Sequence, residues 1–168
     1  MSHQQKQQYD LKRGLKEQDE IMGLWCERRG HTWTPSSKLE DIHGKFDGIL
    51  TVGTDEFKIQ YKGMIRGPEG CVLIEHTNVA GNKGWGYGEA EYVFQRVAQH
   101  KAVTYVREKA INWLVGRLGE PKESDILRKN GKHKPLEWCG RKDRKDVFAY
   151  VPYDELFAWA EARWRFFC

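Results

Sequence analysis

Phe46-Asp47-Gly48-Ile49-Leu50-Thr51-Val52-Gly53-Thr54-Asp55-Glu56-Phe57-Lys58-Ile59-Gln60-Tyr61-Lys62 reads as two strands and a turn. Apolar and β-branched residues fill 46–53 and 56–62, and Thr54-Asp55 separates them. If the two strands form a hairpin, the start of the first lies beside the end of the second. Asp47 then neighbours Gln60 and Lys62, and Gln60 and Lys62 share a face because strand side chains alternate.

Outward from this hairpin, residues 9–29 read as an amphipathic helix, with Leu11, Leu15, Ile21, Met22 and Trp25 on one face. Gly30 reads as its stop. His31-Thr32-Trp33-Thr34-Pro35 reads as a short strand ended by Pro35 and a Ser-rich turn. Downstream, Cys71–His76 is a compact β-type run. Ala80–Gly88 holds four glycines in nine residues and reads as a loop. Glu91–Val97 and Ala102–Val106 suggest a strand pair, Glu108–Leu118 a helix, and Val147–Val151 a last strand. Asp154–Phe166 reads as a C-terminal helix capped by Asp154. Together these give an α/β (α+β) class: a single domain over 9–168, with a central mixed sheet flanked by helices, behind a flexible tail at 1–8.

The chain has 168 residues, 39% of them hydrophobic and 12% aromatic, which suffices for one packed core. No apolar run approaches the roughly 20 residues of a membrane helix. The polar, Gln-rich start does not read as a secretory signal, and no lipidation motif is seen around Cys168. The four cysteines (Cys26, Cys71, Cys139, Cys168) form no C-x-x-C pair. A reducing cytoplasm with free thiols is therefore expected. Residues 1–84 carry 12 basic and 12 acidic side chains, and residues 85–168 carry 16 and 12. The excess concentrates between Lys122 and Lys145. That stretch reads either as a phosphate-facing patch or as a solvated loop.

A carboxylate, an amide oxygen and a lysine on one spot suit phosphodiester hydrolysis. Asp47 and the Gln60 carbonyl offer oxygen ligands to Mg²⁺. Lys62 is able to orient a water or offset charge developing on the phosphate.

Asp47, about a dozen residues, then Gln60-Tyr61-Lys62 resembles the signature of the PD-(D/E)XK nuclease superfamily, in the Gln-x-Lys form of Mrr-type and small phage-encoded members. The surroundings are similar: an acid-bearing helix, Gly30, the Pro35-Ser36-Ser37 turn, Asp41 upstream, then Ile74-Glu75, Gly84-Trp85 and Ala90-Glu91-Tyr92. The resemblance runs over roughly residues 9–115 and implies a restriction-endonuclease-like fold. It also implies metal-dependent DNA cleavage with Mg²⁺ or Mn²⁺ held by Asp47, Gln60 and Glu75, and Lys62 as the catalytic lysine. Gln60 stands where most members have Glu or Asp, which removes a charge. Glu75 and a helix acid, Glu17 or Glu20, are the candidate compensators, with Glu17 favoured. Glu75 faces either solvent or the metal site.

On this reading Lys83, Trp85, Arg96, Arg141, Lys142, Arg144 and Lys145 contact DNA, the basic side chains through its phosphates. Trp85 and Tyr87 either stack on bases or pack in the core. No recognition domain is visible, so specificity for junctions or branches is expected, as in a Holliday-junction-resolvase-like enzyme acting as a homodimer. The alternative is a catalytically inactive member of the fold that binds DNA or a host protein.

Overall fold

The computed structural model describes residues 3–65, 67–129 and 131–167, with side chains from Arg13 onward. Leu11 and Cys168 therefore lie outside the described side chains. The elements run α1 (His3–Glu27), β1 (Thr32–Pro35), α2 (Lys38–Gly44), β2 (Gly48–Val52), β3 (Asp55–Lys62), β4 (Cys71–Thr77), β5 (Tyr92–Ala98) and β6 (Lys101–Val106). They continue with α3 (Arg107–Leu118), β7 (Leu127–Arg128), β8 (Cys139–Gly140), β9 (Val147–Pro152), α4 (Tyr153–Trp159) and β10 (Arg163–Phe166). The class is α+β, and the strands divide into two sheets. One has six strands in the order β1-β2-β3-β5-β6-β10, and the other has four in the order β4-β9-β8-β7.

The hairpin is present. Gly48 pairs with Ile59 and Val52 with Asp55, so Asp47 falls opposite Gln60. Ile59 and Tyr61 point to one face of β3 and pack with Met22, Trp25 and Cys26 of α1, Leu50 and Phe94. Gln60 and Lys62 take the other face by alternation. β3 and β5 are parallel, so a crossover must join them. Here the crossover leaves the large sheet, contributes β4 to the small one and returns through the glycine loop. That excursion carries Glu75 over the Gln60–Lys62 face.

The main core lies between the sheets. Val93, Val103 and Tyr105 of the large sheet meet Val72, Ile74, Val147, Ala149 and Val151 of the small one, with Ile111 and Leu114 of α3 and Leu156 of α4. Each such side chain taken fully out of water contributes about 1.5–3 kcal/mol.

The expected central mixed sheet is present with six strands, and a second sheet forms beside it because β4 pairs with β9 rather than with a strand of the large sheet. Three sequence expectations are corrected. α1 begins at His3, so residues 3–8 continue the helix instead of forming a tail. The expected helix over 154–166 ends at Trp159. Glu161 turns the chain with φ 51°, and Arg163–Phe166 pairs with the open edge of β6. The Ser-rich turn leads into α2, held by a capping box: Ser37 Oγ accepts the Glu40 N–H, and the Glu40 carboxylate accepts the Ser37 N–H.

Candidate functional site

Asp47 sits just before β2, where its N–H still donates to Ile59 O at 2.8 Å. Its carbonyl accepts the Ser36 N–H at 2.9 Å and the Gln18 amide at 3.3 Å. Its carboxylate bends onto β3. Oδ2 accepts the Tyr61 N–H at 2.7 Å and the Gln60 Nε2–H. The backbone therefore holds the Asp47 carboxylate at the Gln60–Lys62 end of β3. Burial pushes its pKa up, while Lys62 and the two donors pull it down.

Glu75 lies on β4, on the face opposite Val72 and Ile74. Its Oε1 accepts the Trp85 N–H at 3.2 Å. The glycines of the loop make this contact possible. A Cβ at Gly84 would lie 2.7 Å from Glu75 Cγ and Oε1, and one at Gly86 would lie 2.5 Å from Glu75 O. Arg107 braces the loop from below, donating to Gly86 O at 2.6 Å and Ala90 O at 2.5 Å. Burial raises the Glu75 pKa too, with the Trp85 N–H and then Lys62 opposing.

Asp47, Gln60, Lys62 and Glu75 line one open cleft of about 340 Å³, with Asp41, Lys45 and Asn78 at its edge. Lys62 Nζ rests 5.3 Å from the Trp85 ring centroid. Asp47 and Lys62 also line an adjoining cleft of about 500 Å³ against α1, where Glu17, Gln18 and Arg96 stand. Glu17 Oε1 accepts from Arg96 at 2.8 Å and from the Tyr61 hydroxyl at 3.3 Å. Glu20 lines neither cleft and pairs with Lys16 at 3.6 Å.

The donor set fits a hard divalent cation in kind. It offers two carboxylates and an amide in one cleft. One oxygen of each carboxylate has no hydrogen bond from a described residue. No three His, Cys, Asp or Glu side chains converge among the described residues, so the third oxygen would be that of Gln60.

The expected DNA contacts separate into groups. Lys142, Arg144 and Lys145 are exposed between β8 and β9, and Lys83 is exposed in the glycine loop. Lys145 lies against Gly81 of that loop, so the two basic segments adjoin. Arg141 is tied to the buried Asp146 at 2.5 Å. Arg96 spends its guanidinium on Glu17, Ala98 O and Gln99 O. Trp85 is 6% exposed and packs in the main core. Its ring is not available for base stacking, and its N–H holds Glu75 instead.

Sequence reasoning missed Lys45 and Gln18. Lys45 caps α2 with φ 53° and donates its Nζ to Lys83 O. The Ser37-Lys38-Leu39-Glu40 capping signal would have located α2 and hence Lys45. Gln18, 6% exposed beneath Asp47, had no local signal. Comparison with protein-family models, curated proteins and solved structures finds no match for this chain.

Proposed function

We propose that the chain is a metal-dependent DNA endonuclease with a PD-(D/E)XK-type, restriction-endonuclease-like site. The observation that carries this reading is the single cleft lined by Asp47 at the entrance to β2, Gln60 and Lys62 of β3, and Glu75 of β4. Two partly buried carboxylates with raised pKa values and one nearby lysine make a site that favours added positive charge. Asp47, Glu75 and the Gln60 oxygen would hold Mg²⁺ or Mn²⁺, which supplies phosphate polarisation and water activation. Lys62, at the mouth of the same cleft, balances charge on the phosphate and orients the attacking water. Glu17 orients Arg96 and Tyr61 beside Asp47.

Lys45, Lys83 and Lys145 gather around the glycine loop at the cleft rim and suit a phosphate backbone without reading sequence. Structure-specific cutting of junctions or branches by a homodimer is the version this reading favours. Among the described residues no helix is long and apolar enough to cross a membrane. Three free, buried thiols, Cys26, Cys71 and Cys139, fit a reducing cytoplasm.

A second reading, a DNA-binding relative without cleavage, draws on one fact. Gln60 donates to Asp47 where a third carboxylate would strengthen metal binding. A cleavage assay decides between them, using supercoiled, linear, single-stranded and four-way-junction DNA with Mg²⁺, Mn²⁺ or EDTA. The nuclease reading expects metal-dependent cutting that Asp47→Ala and Lys62→Ala abolish, with DNA affinity retained. Binding without cutting on every substrate supports the second reading. Neither cutting nor binding overturns both.

A further inference from the structure

A further cavity lies away from this cleft, on the α1 side of the large sheet. It encloses about 510 Å³, and Trp25, Phe57, Tyr92 and Phe94 form its apolar wall. That volume is within the range of small-molecule sites. Arg29, Arg163 and Arg165 stand around it. Arg29 and Arg165 approach the same indole, with guanidinium carbons 4.9 and 5.8 Å from the Trp25 ring centroid.

No carboxylate among the described residues pairs with any of these three arginines. Glu161, also on the wall, is taken by Lys109. Arg29 reaches only backbone oxygens, those of Trp25 and Phe166, and Arg165 donates to the Thr104 hydroxyl at 3.0 Å. Burial first, and then the charges of Arg163 and Arg29, make Arg165 easier to deprotonate. A second, separate observation points the same way. Trp25 is 5% exposed, and its Nε1–H is buried with no acceptor. A buried donor left unpaired costs about 1–3 kcal/mol.

Every unsatisfied group here is therefore a donor or a cation, set beside an aromatic wall. We propose that this cavity binds a nucleotide, with its base against the aromatic wall and its phosphate held by Arg29, Arg163 and Arg165. A phosphate monoester carries close to two negative charges and matches the guanidinium fork. A carboxylate would leave more of the cluster uncompensated. The nucleotide is either free or the phosphorylated end of a DNA strand, since both present the same chemistry. The site is independent of the nuclease reading.

The test uses the full-length protein, titrated with AMP, adenosine, inorganic phosphate and a 5′-phosphorylated oligonucleotide. Binding is followed by calorimetry and by the indole N–H resonance that Trp25→Phe removes. AMP should bind, shift the Trp25 indole signal, and bind roughly tenfold or more tightly than either adenosine or phosphate. Arg163→Gln, on an exposed strand, and Arg165→Gln should each weaken AMP roughly tenfold with unchanged circular dichroism. Competition by the oligonucleotide assigns a strand end as the source. Its failure to compete assigns a free nucleotide. AMP binding that leaves the Trp25 indole unmoved, or that both arginine variants leave unchanged, overturns the proposal. So does the absence of binding.

Discussion

The Asp47 carboxylate accepts the backbone N–H of Tyr61 at 2.7 Å. A side chain thus completes the hydrogen bonding of β3 where the β2 ladder stops. Asp47→Ala would orphan that N–H and the Gln60 amide. Asp47→Asn keeps an oxygen acceptor for them. Asp47→Asn should therefore be more stable than Asp47→Ala by about 1–3 kcal/mol, while the proposed nuclease function expects both variants to lose cleavage. Urea unfolding of the pair checks this. Equal midpoints would remove the structural role given to the carboxylate.

Burial raises the pKa of both Asp47 and Glu75 above their ordinary values of 3.8 and 4.5. A raised acid binds more protons folded than unfolded, so stability falls as pH rises through the window above those ordinary values. The contribution is complete below the ordinary values and lost above the raised ones. In EDTA, the stability of wild type relative to Asp47→Asn and to Glu75→Gln should therefore decline as pH rises from the ordinary carboxylate range toward neutrality. Divalent cations should offset the decline in wild type alone. Thermal melts across that range measure it. A difference that stays flat with pH would contradict the buried-charge account of the cleft.

The hairpin was legible because alternation and a turn fix its register, and that register alone juxtaposes Asp47 with Gln60 and Lys62. Glu75 was legible as a candidate but its orientation was not. Its face depends on β4 leaving the large sheet to pair with β9, a partner some 75 residues away. Trp85 illustrates a different gap. A tryptophan between glycines looks available to a ligand, yet whether the ring turns inward is set by α3 and β4 packing around it. Arg163-Trp164-Arg165-Phe166 has an amphipathic spacing that suits a helix. Its two-residue alternation served equally well for a strand, and the open edge of β6 decided.

Gly84 tests how closely the loop must approach Glu75. A methyl there would meet Glu75 Cγ and Oε1 at 2.7 Å, too close for ordinary packing. The loop or the carboxylate must shift, at a cost of about 1–3 kcal/mol. Gly84→Ala should thus lose most of its cleavage while remaining folded and still binding DNA. Gly131→Ala, where nothing lies within 4 Å of the added carbon but φ is 118°, should lose stability and leave cleavage per folded molecule unchanged. Rates normalised to folded fraction separate the two. Equal normalised rates would show that Glu75 does not need its present position.

Gln60→Glu bears on the residue that departs most from the expected pattern. The present amide donates to Asp47, and it shares the cleft with Lys62 and Glu75. A glutamate would replace that hydrogen bond with two carboxylates face to face. One of them would take up a proton or repel the other. Without divalent cations the variant should melt lower than wild type by on the order of 1–3 kcal/mol, the cost of a broken buried hydrogen bond. At this chain length that is about 2–4 °C per kcal/mol. With Mn²⁺ the order should change, because a third carboxylate tightens the ion and ligand binding adds to folding free energy. The Mn²⁺-induced rise in melting temperature should therefore be larger in Gln60→Glu than in wild type, and absent in Asp47→Asn. A rise equal to or smaller than that of wild type would mean that position 60 does not face a cation, and Gln60 would stand as a strut for Asp47 alone.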